Sequence, residues 1–361
     1  MSATAHGAAS WSGRRVLVTG HTGFKGAWLA LMLARRGASV TGFSLAPATT
    51  PSLFDLARVG ERIESYFGDV CDATAVKRVV AESQPEVVFA FAAQSLVLDG
   101  YARPAATFAT NVVGLANLLD AVRECDATRA VVVATSDKCY ENREWPWAYR
   151  ETDSLGGRDP YAASKACSEH VVSAYRASYF ETGPALATVR AGNVIGGGDW
   201  SPARLIVDLV EAAIARRAVT LRRPEAIRPW QFVLDALDAY VLLAESMLGP
   251  DGRALGDAWN VGPDAADARS VRAVAGVFAA SWGAPAPIEA PADSSAHEAG
   301  LLTVDSAKLR TRLGWRPAYR IDATIAQTVA WYRAWSGGAD VVALCEDELA
   351  RYESVVRAPR G

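Results

Sequence analysis

The sequence predicts a doubly wound α/β fold, in which helices cover both faces of a parallel sheet, with a smaller domain following it. Short apolar runs alternate with segments of helical period through the first half of the chain. These runs lack the polar–apolar alternation of a half-exposed strand, so both faces of the sheet are expected to be covered. Beyond Arg190 the pattern loosens into glycine- and proline-rich segments, which predicts a less regular C-terminal domain.

Each element follows from the local pattern in chain order. The predicted strands are short runs rich in β-branched and aromatic residues, at 15–20, 39–43, 64–70, 86–93, 129–135 and 185–191. The predicted helices have apolar residues at three- and four-residue spacing, at 24–37, 72–84, 104–125 and 161–179. Gly37 ends the first helix, because glycine is the usual stop signal just past the last helical turn.

Composition and charge argue against several classes of function. The 361 residues carry 37 Lys and Arg against 40 Asp and Glu, a net charge of −3, and no basic block. We therefore expect neither nucleic acid nor a membrane surface as a partner. The five cysteines are scattered, without a CxxC pair or a Cys/His cluster, which predicts reduced thiols in a cytoplasmic protein and no metal site. No apolar stretch is expected to reach the ~20 residues that span a bilayer.

A glycine-rich turn joins the first predicted strand to the first predicted helix. The segment TGHTGFKG carries Gly20, Gly23 and Gly26 at G-x-x-G-x-x-G spacing. Such glycines let the backbone approach a pyrophosphate, and the helix N-terminus supplies positive partial charge. Glycine turns between strands and helices are common, but this one opens the first βαβ unit, where a dinucleotide site belongs.

Residues at the ends of the next strands indicate which dinucleotide would bind. Asp69 could accept a hydrogen bond from an adenine amino group, or it could cap a turn. The small residues Ala92 and Ala93, before Gln94, leave room for a ribose. Ser44 stands where an acidic residue usually ends the second strand, and no arginine is there to meet a 2′-phosphate. NAD is therefore favoured over NADP.

A tyrosine and a lysine form the candidate redox pair. Tyr161 and Lys165 lie four residues apart in YAASK, and therefore on one face of a helix. Alone, this spacing is ordinary on a helix surface. Together with the glycine turn and with Ser136 after the fifth strand, it predicts a phenolate base whose pKa a neighbouring ammonium lowers. Ser136 would hydrogen-bond the same substrate hydroxyl and stabilise the developing carbonyl.

These features resemble those of the extended short-chain dehydrogenase/reductase family, the NAD-dependent epimerases and dehydratases of nucleotide sugars. The resemblance spans about residues 13–335. The segments GHTGFKGAWL, PSLFDLA, TSDKCYENREW, RAGNVIGGGDW, IRPWQ and LGW are similar to those of CDP-glucose 4,6-dehydratases. The resemblance implies a Rossmann-type domain, a C-terminal substrate-binding domain, bound NAD, CDP-glucose as substrate and a homodimer.

The resemblance also implies a reaction and a set of residues. CDP-glucose would become CDP-4-keto-6-deoxyglucose by oxidation at C4, loss of water across C5 and C6, and hydride return to C6. The implied catalytic residues are Ser136, Asp137, Lys138, Tyr161 and Lys165. The implied cofactor-binding residues are Gly20, Thr22, Gly23, Phe24, Lys25, Gly26, Ser44, Asp69, Val70, Ala92, Ala93, Gln94, Asn111, Tyr161 and Lys165. The implied substrate-binding residues are Asn193, Arg204, Arg228, His297 and Glu298.

The two domains are expected to interleave along the chain. The expected limits are a flexible tail at 1–12, the NAD-binding domain at 13–191 with segments around 231–261 returning to it, the substrate domain at 192–230 and 262–340, and a C-terminal extension at 341–361. His297 and Glu298 either face the nucleotide or cap a loop.

Asp137 and Lys138, in the segment SDK, have the most open role. A redox step needs only the tyrosine and its helpers, whereas elimination needs a further acid for the leaving hydroxyl and a further base for C5. The pair is either an exposed ion pair, or an acid (Asp137) with a base or charge partner (Lys138). An adjacent ammonium keeps a carboxyl ionised, which is wrong for an acid, unless burial raises its pKa. Successive strand residues face opposite sides, so both reach one substrate only if the strand has turned by Asp137.

Two other functions remain open. The first is a related nucleotide-sugar epimerase, oxidoreductase or dehydratase that acts on another sugar nucleotide. The second is a non-catalytic dinucleotide sensor on the same fold. Ser136, Tyr161 and Lys165 argue against a sensor, since it has no need of them.

Overall fold

A computed structural model of the chain describes residues 11–285, 288–289 and 299–358. The strands are β1 Arg15–Thr19, β2 Ser39–Ser44, β3 Glu64–Phe67, β4 Val87–Ala90, β5 Ala130–Ala134, β6 Ala185–Ala191, β7 Val194–Ile195, β8 Thr220–Leu221, β9 Ile227–Arg228, β10 Gln231–Phe232, β11 Ala258–Val261, β12 Arg269–Ser270 and β13 Ile288–Glu289. The helices are α1 Phe24–Arg35, α2 Leu53–Leu56, α3 Ala73–Ser83, α4 Val97–Ala102, α5 Pro104–Phe108, α6 Gly114–Arg123, α7 Pro160–Ser178, α8 Leu205–Ile214, α9 Val233–Met247, α10 Val271–Trp282, α11 Ala307–Leu313, α12 Ile321–Ser336 and α13 Val341–Arg357.

Seven parallel strands form the central sheet, in the order β3-β2-β1-β4-β5-β6-β11. Three two-stranded sheets, which pair β7 with β10, β8 with β13 and β9 with β12, lie outside it. Each crossover between successive strands of the central sheet carries at least one helix, as parallel pairing requires. The predicted doubly wound α/β fold is confirmed.

Different helices cover the two faces of this sheet. Val132 and Ala134 of β5 belong to one buried cluster with residues of α1 and α9. Val131 and Val133 belong to the other, with residues of α3, α6 and α7. Burial on both faces explains why the strands have no polar alternation, and each large apolar side chain buried this way contributes about 1.5–3 kcal/mol.

The winding of the chain reverses between β1 and β4, which are neighbours in the sheet although two strands separate them in sequence. Connections leave the two strands in opposite directions, so a crevice opens at their carboxyl ends. Doubly wound folds bind their ligands at this position. The glycine turn follows β1. The candidate catalytic residues follow β5, which β4 separates from β1 in the sheet.

The helix predicted at 104–125 is interrupted. It consists of α5, a π-helical turn at Ala109–Val113, and α6. The run Pro104–Arg123 has 20 residues, and an 18-residue stretch of it has a mean hydropathy of 1.3, so by length and composition alone it could cross a membrane. The expectation that no apolar stretch reaches that length is therefore wrong. Leu115 and Leu118 of this run are buried against the sheet, as in the core helix of a globular domain.

The core extends into the predicted N-terminal tail. Trp11 is fully buried, its ring lies 6.3 Å from that of Phe89, and its indole N–H donates to Glu245. A tryptophan carries enough apolar area to hold this segment against the sheet. Residues 1–10 lie outside the described residues.

The C-terminal helices hold the glycine-rich loop after β7. The Tyr332 hydroxyl of α12 donates to the Asp199 carbonyl at 2.5 Å and accepts from the Asp199 amide at 2.9 Å. Gly197 lies against Trp331, where an added Cβ would come within 2.2 Å of the ring. The loop that leads to Arg204 is therefore fixed by residues more than a hundred positions later in the chain.

Gly26→Ala is expected to lower the free energy of unfolding by about 1–3 kcal/mol, as overpacking does. The added Cβ would lie 2.0 Å from the Gly20 carbonyl oxygen, and a backbone atom cannot yield without opening the turn. Urea unfolding measures the change. Gly276→Ala in α10 is the matched control, because nothing lies within 4 Å of its Cβ position. It should raise the free energy by about 0.5–1 kcal/mol, and equal effects of the two substitutions would contradict the contact.

Candidate active site

The glycine turn brings β1, α1 and the segment after β4 into close approach. Gly20 has a φ of +77°, and a Cβ there would meet the Ala92 amide nitrogen at 2.7 Å. Gly23 is the N-cap of α1 without a side-chain cap, and no acidic residue occupies the first turn. The first amides of α1, from Phe24 onward, therefore have no competing carboxylate. A phosphate is the kind of ligand that such a helix start fits.

The hydroxyl groups of Thr22 and Ser44 are joined at the end of β2. Thr22 Oγ1 donates to the Leu45 carbonyl at 2.9 Å. Its single proton is thereby used, so Ser44 Oγ, also 2.9 Å away, donates to Thr22. Ser44 is left with lone pairs only. A ribose hydroxyl can donate to them, whereas a 2′-phosphate would need a donor.

Asp69 and Val70 follow β3 as predicted, but part of their bonding capacity is used within the protein. Asp69 Oδ1 accepts from the Cys71 amide at 2.9 Å, so one oxygen caps the turn. The Asp69 side chain is exposed and its second oxygen can face a ligand. The Val70 carbonyl accepts from Asn117 Nδ2 at 3.0 Å, which positions the segment between β3 and α3.

Asn111 arranges the segment after β4 rather than offering free atoms to a ligand. Its Oδ1 accepts from the Gln94 amide at 2.8 Å, and its Nδ2 donates to the Gln94 carbonyl at 3.0 Å. Nδ2 also donates to Ser164 Oγ at 2.8 Å. Asn111 stands in the π-helical turn, so this irregular turn connects α7 to the sheet end that carries Ala92 and Ala93. π-Helical turns are frequent at functional sites.

The chain turns immediately after β5. Ser136 is the N-cap of a 3₁₀ turn, Asp137–Cys139, and its Oγ accepts from the Lys138 amide at 3.2 Å. Ser136 Oγ donates to Asp137 Oδ1 at 3.0 Å. Strand alternation thus ends before Asp137. The geometric condition for Ser136, Asp137 and Lys138 to meet one substrate is fulfilled.

Asp137 is buried, with 2 % exposure, whereas Lys138 is half-buried. Burial raises the pKa of Asp137, and it outweighs the opposite effects of Lys138, the Ser136 hydroxyl and Arg228. Asp137 Oδ2 makes no hydrogen bond among the described residues. The pair is therefore not an exposed ion pair. A buried carboxyl with a raised pKa and an unpartnered oxygen is suited to protonate a leaving hydroxyl.

Tyr161 and Lys165 stand one turn apart at the start of α7. Asp159 caps this helix by accepting from the Ala162 amide at 2.9 Å. Lys165 Nζ donates to the carbonyl of Ala134, the last residue of β5, at 3.1 Å. This hydrogen bond joins the redox pair to the carboxyl end of β5, next to the turn Asp137–Cys139, which we call the catalytic turn.

Burial displaces the pKa of both members of the redox pair. It raises the pKa of Tyr161 to about 12, against the opposing effects of the Ser136 hydroxyl and the charge of Arg204. It lowers the pKa of Lys165 to about 7, and Lys25 acts in the same direction. The predicted lowering of the phenol pKa is therefore not met in the protein alone, because loss of hydration destabilises the phenolate more than nearby cations stabilise it.

Lys25 reaches from the first turn of α1 to the catalytic groups. Its Nζ lies 5.8 Å from the ring centroid of Phe91 and 6.0 Å from that of Tyr240. Burial lowers the pKa of Lys25 to about 8, with Arg204 in the same direction and Asp137 opposing. Its backbone lies in the first turn of α1, whereas its Nζ lies near the catalytic groups, close enough to interact with Asp137.

Three of the five predicted substrate-binding residues lie among the residues that the structure describes. Arg204 Nη1 donates to Asp199 Oδ2 at 2.8 Å and Nη2 to Ser95 Oγ at 3.3 Å, close enough to Tyr161 to affect its pKa. Arg228 is buried and donates to the Ala299 carbonyl at 2.5 Å. Asn193 is half-buried after β6, and its carbonyl accepts from the Gln231 amide at 2.9 Å. His297 and Glu298 lie outside the described residues.

Some residues that shape this site were not predicted. Asp199 orients Arg204, and Tyr240 lies beneath Lys25. Glu169, two turns after Tyr161 on α7, is a buried acid that acts on the pKa of Lys165. Its four-residue spacing from Lys165 was the available signal, because it places the two on one helix face.

Comparison with known proteins extends over almost the whole of this fold. A family model described as GDP-mannose 4,6 dehydratase matches residues 17–328. The CDP-glucose 4,6-dehydratase of Salmonella typhimurium is 43 % identical over 95 % of this chain and 97 % of its own length. The dTDP-glucose 4,6-dehydratase of Xanthomonas campestris is 32 % identical over 88 % of this chain and 92 % of its own.

Solved structures with similar folds also match most of this chain. The dTDP-glucose 4,6-dehydratase of Streptomyces venezuelae, solved with NAD, is 26 % identical, with a TM-score of 0.78 over 91 % of this chain and 99 % of that one. The UDP-glucose 4-epimerase of Thermus thermophilus, also solved with NAD, is 27 % identical, with a TM-score of 0.76 over 88 % of this chain and 99 % of that one. The matched region runs from β1 into α12.

Proposed function

The chain belongs to the GDP-mannose 4,6-dehydratase family, and from that premise we propose that it is an NAD-dependent CDP-glucose 4,6-dehydratase. One observation carries the choice of elimination over simple redox. Asp137 is buried with a raised pKa in the same turn as Ser136, at the strand end to which Lys165 is bonded. A dehydrogenase or epimerase does not require this additional acid. The Salmonella relative named above supports CDP-glucose as the substrate.

The residues around the glycine turn fit NAD. The uncapped start of α1 suits the pyrophosphate, and Gly20 allows the close approach of the segment that carries Ala92. Ser44 offers only lone pairs, which favours a free ribose hydroxyl and hence NAD over NADP. When bound there, NAD would supply the hydride acceptor for C4, the hydride donor for C6, and a positive charge.

Tyr161 takes the proton of the C4 hydroxyl during oxidation. Its pKa of about 12 requires added positive charge to reach the working range, and Lys165 at one turn's distance supplies part of it when protonated. Ser136 lies within hydrogen-bonding reach of Tyr161 and orients the same hydroxyl. Buried donors that are held in place stabilise developing charge better than water does.

Asp137 and Lys138 carry out the elimination. The C4 ketone acidifies the proton on C5, the free amine of Lys138 removes that proton, and Asp137 in its carboxylic acid form protonates the departing C6 hydroxyl. Burial raises the pKa of Asp137 despite the opposing effect of Lys138, which weighs against the objection that an adjacent ammonium would ionise it. Lys138 Nζ lies 6.0 Å from the Tyr161 ring centroid, so the C5 base and the C4 base are close enough to serve one hexose.

Cations and one amide are proposed to hold the rest of the substrate. Arg204 and Arg228 flank Tyr161 and Asp137 and would bind the diphosphate, for which a guanidinium is suited. Asn193 would bond a phosphate or sugar oxygen. His297 and Glu298 remain candidates for the nucleotide end.

We further propose a homodimer that works in the cytoplasm. Leu98 and Tyr101 of α4 and Val113 of the π-helical turn are large apolar side chains with 44 %, 41 % and 53 % exposure, a surface that a second copy could cover. All five cysteines are free, which suits a reducing compartment. Sedimentation of the purified protein should give two chains per particle, and a single-chain particle would contradict the dimer.

Turnover of CDP-, UDP-, GDP- and dTDP-glucose with NAD tests the function. We expect CDP-glucose to give the alkaline absorbance of a 4-keto sugar without net formation of NADH, because the cofactor is regenerated in each cycle. No signal with CDP-glucose would refute the proposal. Steady accumulation of NADH would indicate net oxidation, and a C4-epimerised sugar would indicate an epimerase.

A further inference from the structure

A set of buried polar side chains lies behind the catalytic turn, between α7 and the strands β5 and β6. Thr135 Oγ1 donates to Glu169 Oε1 at 2.5 Å. The other carboxylate oxygen, Oε2, accepts from Thr188 Oγ1 at 2.9 Å and from Arg190 Nη2 at 2.8 Å. Glu169 and Arg190 are each 4 % exposed. A buried carboxylate that accepts three hydrogen bonds is satisfied and tightly held.

Arg190 extends this network to the far end of the turn. Its Nη1 donates to Tyr140 Oη at 2.9 Å and to the Glu151 carbonyl at 3.0 Å. Tyr140 Oη donates to Asn260 Oδ1 at 2.6 Å, and its ring stacks on that of Tyr149 at 5.1 Å. Tyr140 therefore has both its hydroxyl and its ring fixed.

The two contact points enclose the catalytic residues. Thr135 immediately precedes Ser136, and Tyr140 immediately follows the turn Asp137–Cys139. One buried ion pair thus anchors the chain on both sides of the proposed acid and base. The 3₁₀ turn itself has few internal hydrogen bonds, so its orientation depends on these anchors.

The same carboxylate acts on the redox pair. Burial and Lys25 lower the pKa of Lys165 to about 7, and Glu169 opposes this lowering. The titratable groups that face Lys165 are Lys25 from α1, Cys139 from the turn and Glu169 from its own helix. Those that face Tyr161 are Asp137 and Lys138 from the turn, Arg204 from the loop before α8, Asp159 from the cap of α7, and Tyr240 from α9.

We propose that the buried Glu169–Arg190 pair is the positioning element of the active site, which holds both ends of the catalytic turn and fixes a carboxylate one helical turn from Lys165. The two residues act through Thr135, Tyr140 and Lys165 and touch no reacting atom. The proposal rests on the proposed function only in its kinetic readout.

Glu169→Gln tests the electrostatic part. It removes the negative charge but retains an oxygen that can accept from Thr135. The pKa of Lys165 should fall, so less ammonium is present at neutral pH and the Tyr161 phenol stays protonated to higher pH. We expect the acidic limb of the kcat/KM profile to move up by about one pH unit, and kcat/KM on that limb to fall about tenfold. A purely structural role would lower kcat/KM alike at every pH.

Two threonines provide a matched pair for the positioning part. Thr135→Val and Thr188→Val each remove one hydrogen bond to Glu169 while preserving shape, but only Thr135 adjoins the turn. Thr135→Val should lower kcat several-fold more than Thr188→Val, with no shift of the pH limb in either, since the charge of Glu169 remains. Equal effects would overturn the positioning role.

Asp238→Asn controls for loss of a buried ion pair elsewhere. Asp238 lies 3.5 Å from Arg36, with 4 % and 11 % side-chain exposure, between α1 and α9. This substitution should reduce stability without moving the pH limb. A shift as large as that of Glu169→Gln would overturn the proposal.

A measurement that does not depend on turnover distinguishes failure of this proposal from failure of the proposed function. The chain has five lysines, Lys25, Lys77, Lys138, Lys165 and Lys308, few enough to assign by substitution. Carbon-13 NMR of lysine-labelled protein should show a lower pKa for Lys165 in Glu169→Gln than in the native protein. An unchanged pKa would overturn the inference. Absence of turnover by the native protein, with the NMR shift present, would overturn only the proposed function.

Discussion

Tyr161→Phe is expected to lower kcat by about 10³-fold, which is within the range for loss of a general base. The substitution removes the oxygen that takes the proton from C4 but leaves the ring and its packing. Lys165 cannot replace it, because its Nζ is directed at the Ala134 carbonyl. The rate of 4-keto sugar formation measures the loss, and the first hydride transfer should be affected to the same extent.

Tyr240→Phe is the matched control for this substitution. Tyr240 is a second buried phenol near Tyr161. Burial, Asp137 and Tyr161 all raise the pKa of Tyr240, and its hydroxyl makes no hydrogen bond among the described residues. Its removal should change kcat less than about twofold, since no bonded group is lost. If Tyr161→Phe retained kcat as Tyr240→Phe does, Tyr161 would not be the base.

Asp137→Asn is expected to lower the rate of dehydration by about 10²–10⁴-fold, the usual contribution of a general acid. Oxidation at C4 should persist, because Ser136, Tyr161 and Lys165 are unchanged. Mixing the variant with substrate should therefore produce bound reduced cofactor and a 4-ketohexose that still carries its C6 hydroxyl. Loss of both steps together would assign Asp137 to the redox step instead.

The raised pKa of Asp137 also predicts how stability depends on pH. A folded-state pKa above the unfolded value means that the folded protein binds the proton more tightly, so stability falls as pH rises through that pKa. Asparagine does not titrate. The free energy of unfolding of Asp137→Asn should therefore decline less than that of the native protein between acidic and alkaline pH. Denaturant unfolding at several pH values measures this, and parallel declines would contradict burial of the carboxyl.

Lys138→Met separates the acid from the base. If Lys138 removes the C5 proton, this variant should also stop after oxidation at C4, and exchange of the C5 proton with solvent should stop with it. Elimination at the native rate would show that another group is the C5 base.

The elements of the first half could be predicted because their signal lies among close neighbours in the chain. The strand predicted at 129–135 differs from β5 Ala130–Ala134 by one residue at each end. The π-helical turn could not be predicted in this way. It places Asn111 against the Gln94 backbone, and this contact depends on how β4, α6 and α7 pack.

The sequence predicted which residues form the candidate site better than it predicted their hydrogen-bond partners and pKa values. The positions of Gly20 and Ser136 at strand ends, and of Tyr161 at a helix start, follow from local pattern and resemblance. The partner that orients Arg204 does not, because Asp199 is itself held by Tyr332 from α12. Glu169 and Arg190 likewise appear in sequence only as separate charged residues.

The sequence by itself determined the order of strands and helices, the glycine turn, and which side chains stand after β5 and at the start of α7. Only the tertiary structure decided the burial that displaces the pKa values of the catalytic groups. The pKa of Asp137 and that of Tyr161 are both raised, because side chains from distant parts of the chain remove the two groups from water. Hydration depends on the volume around a group, and neighbours along the chain fill only part of that volume.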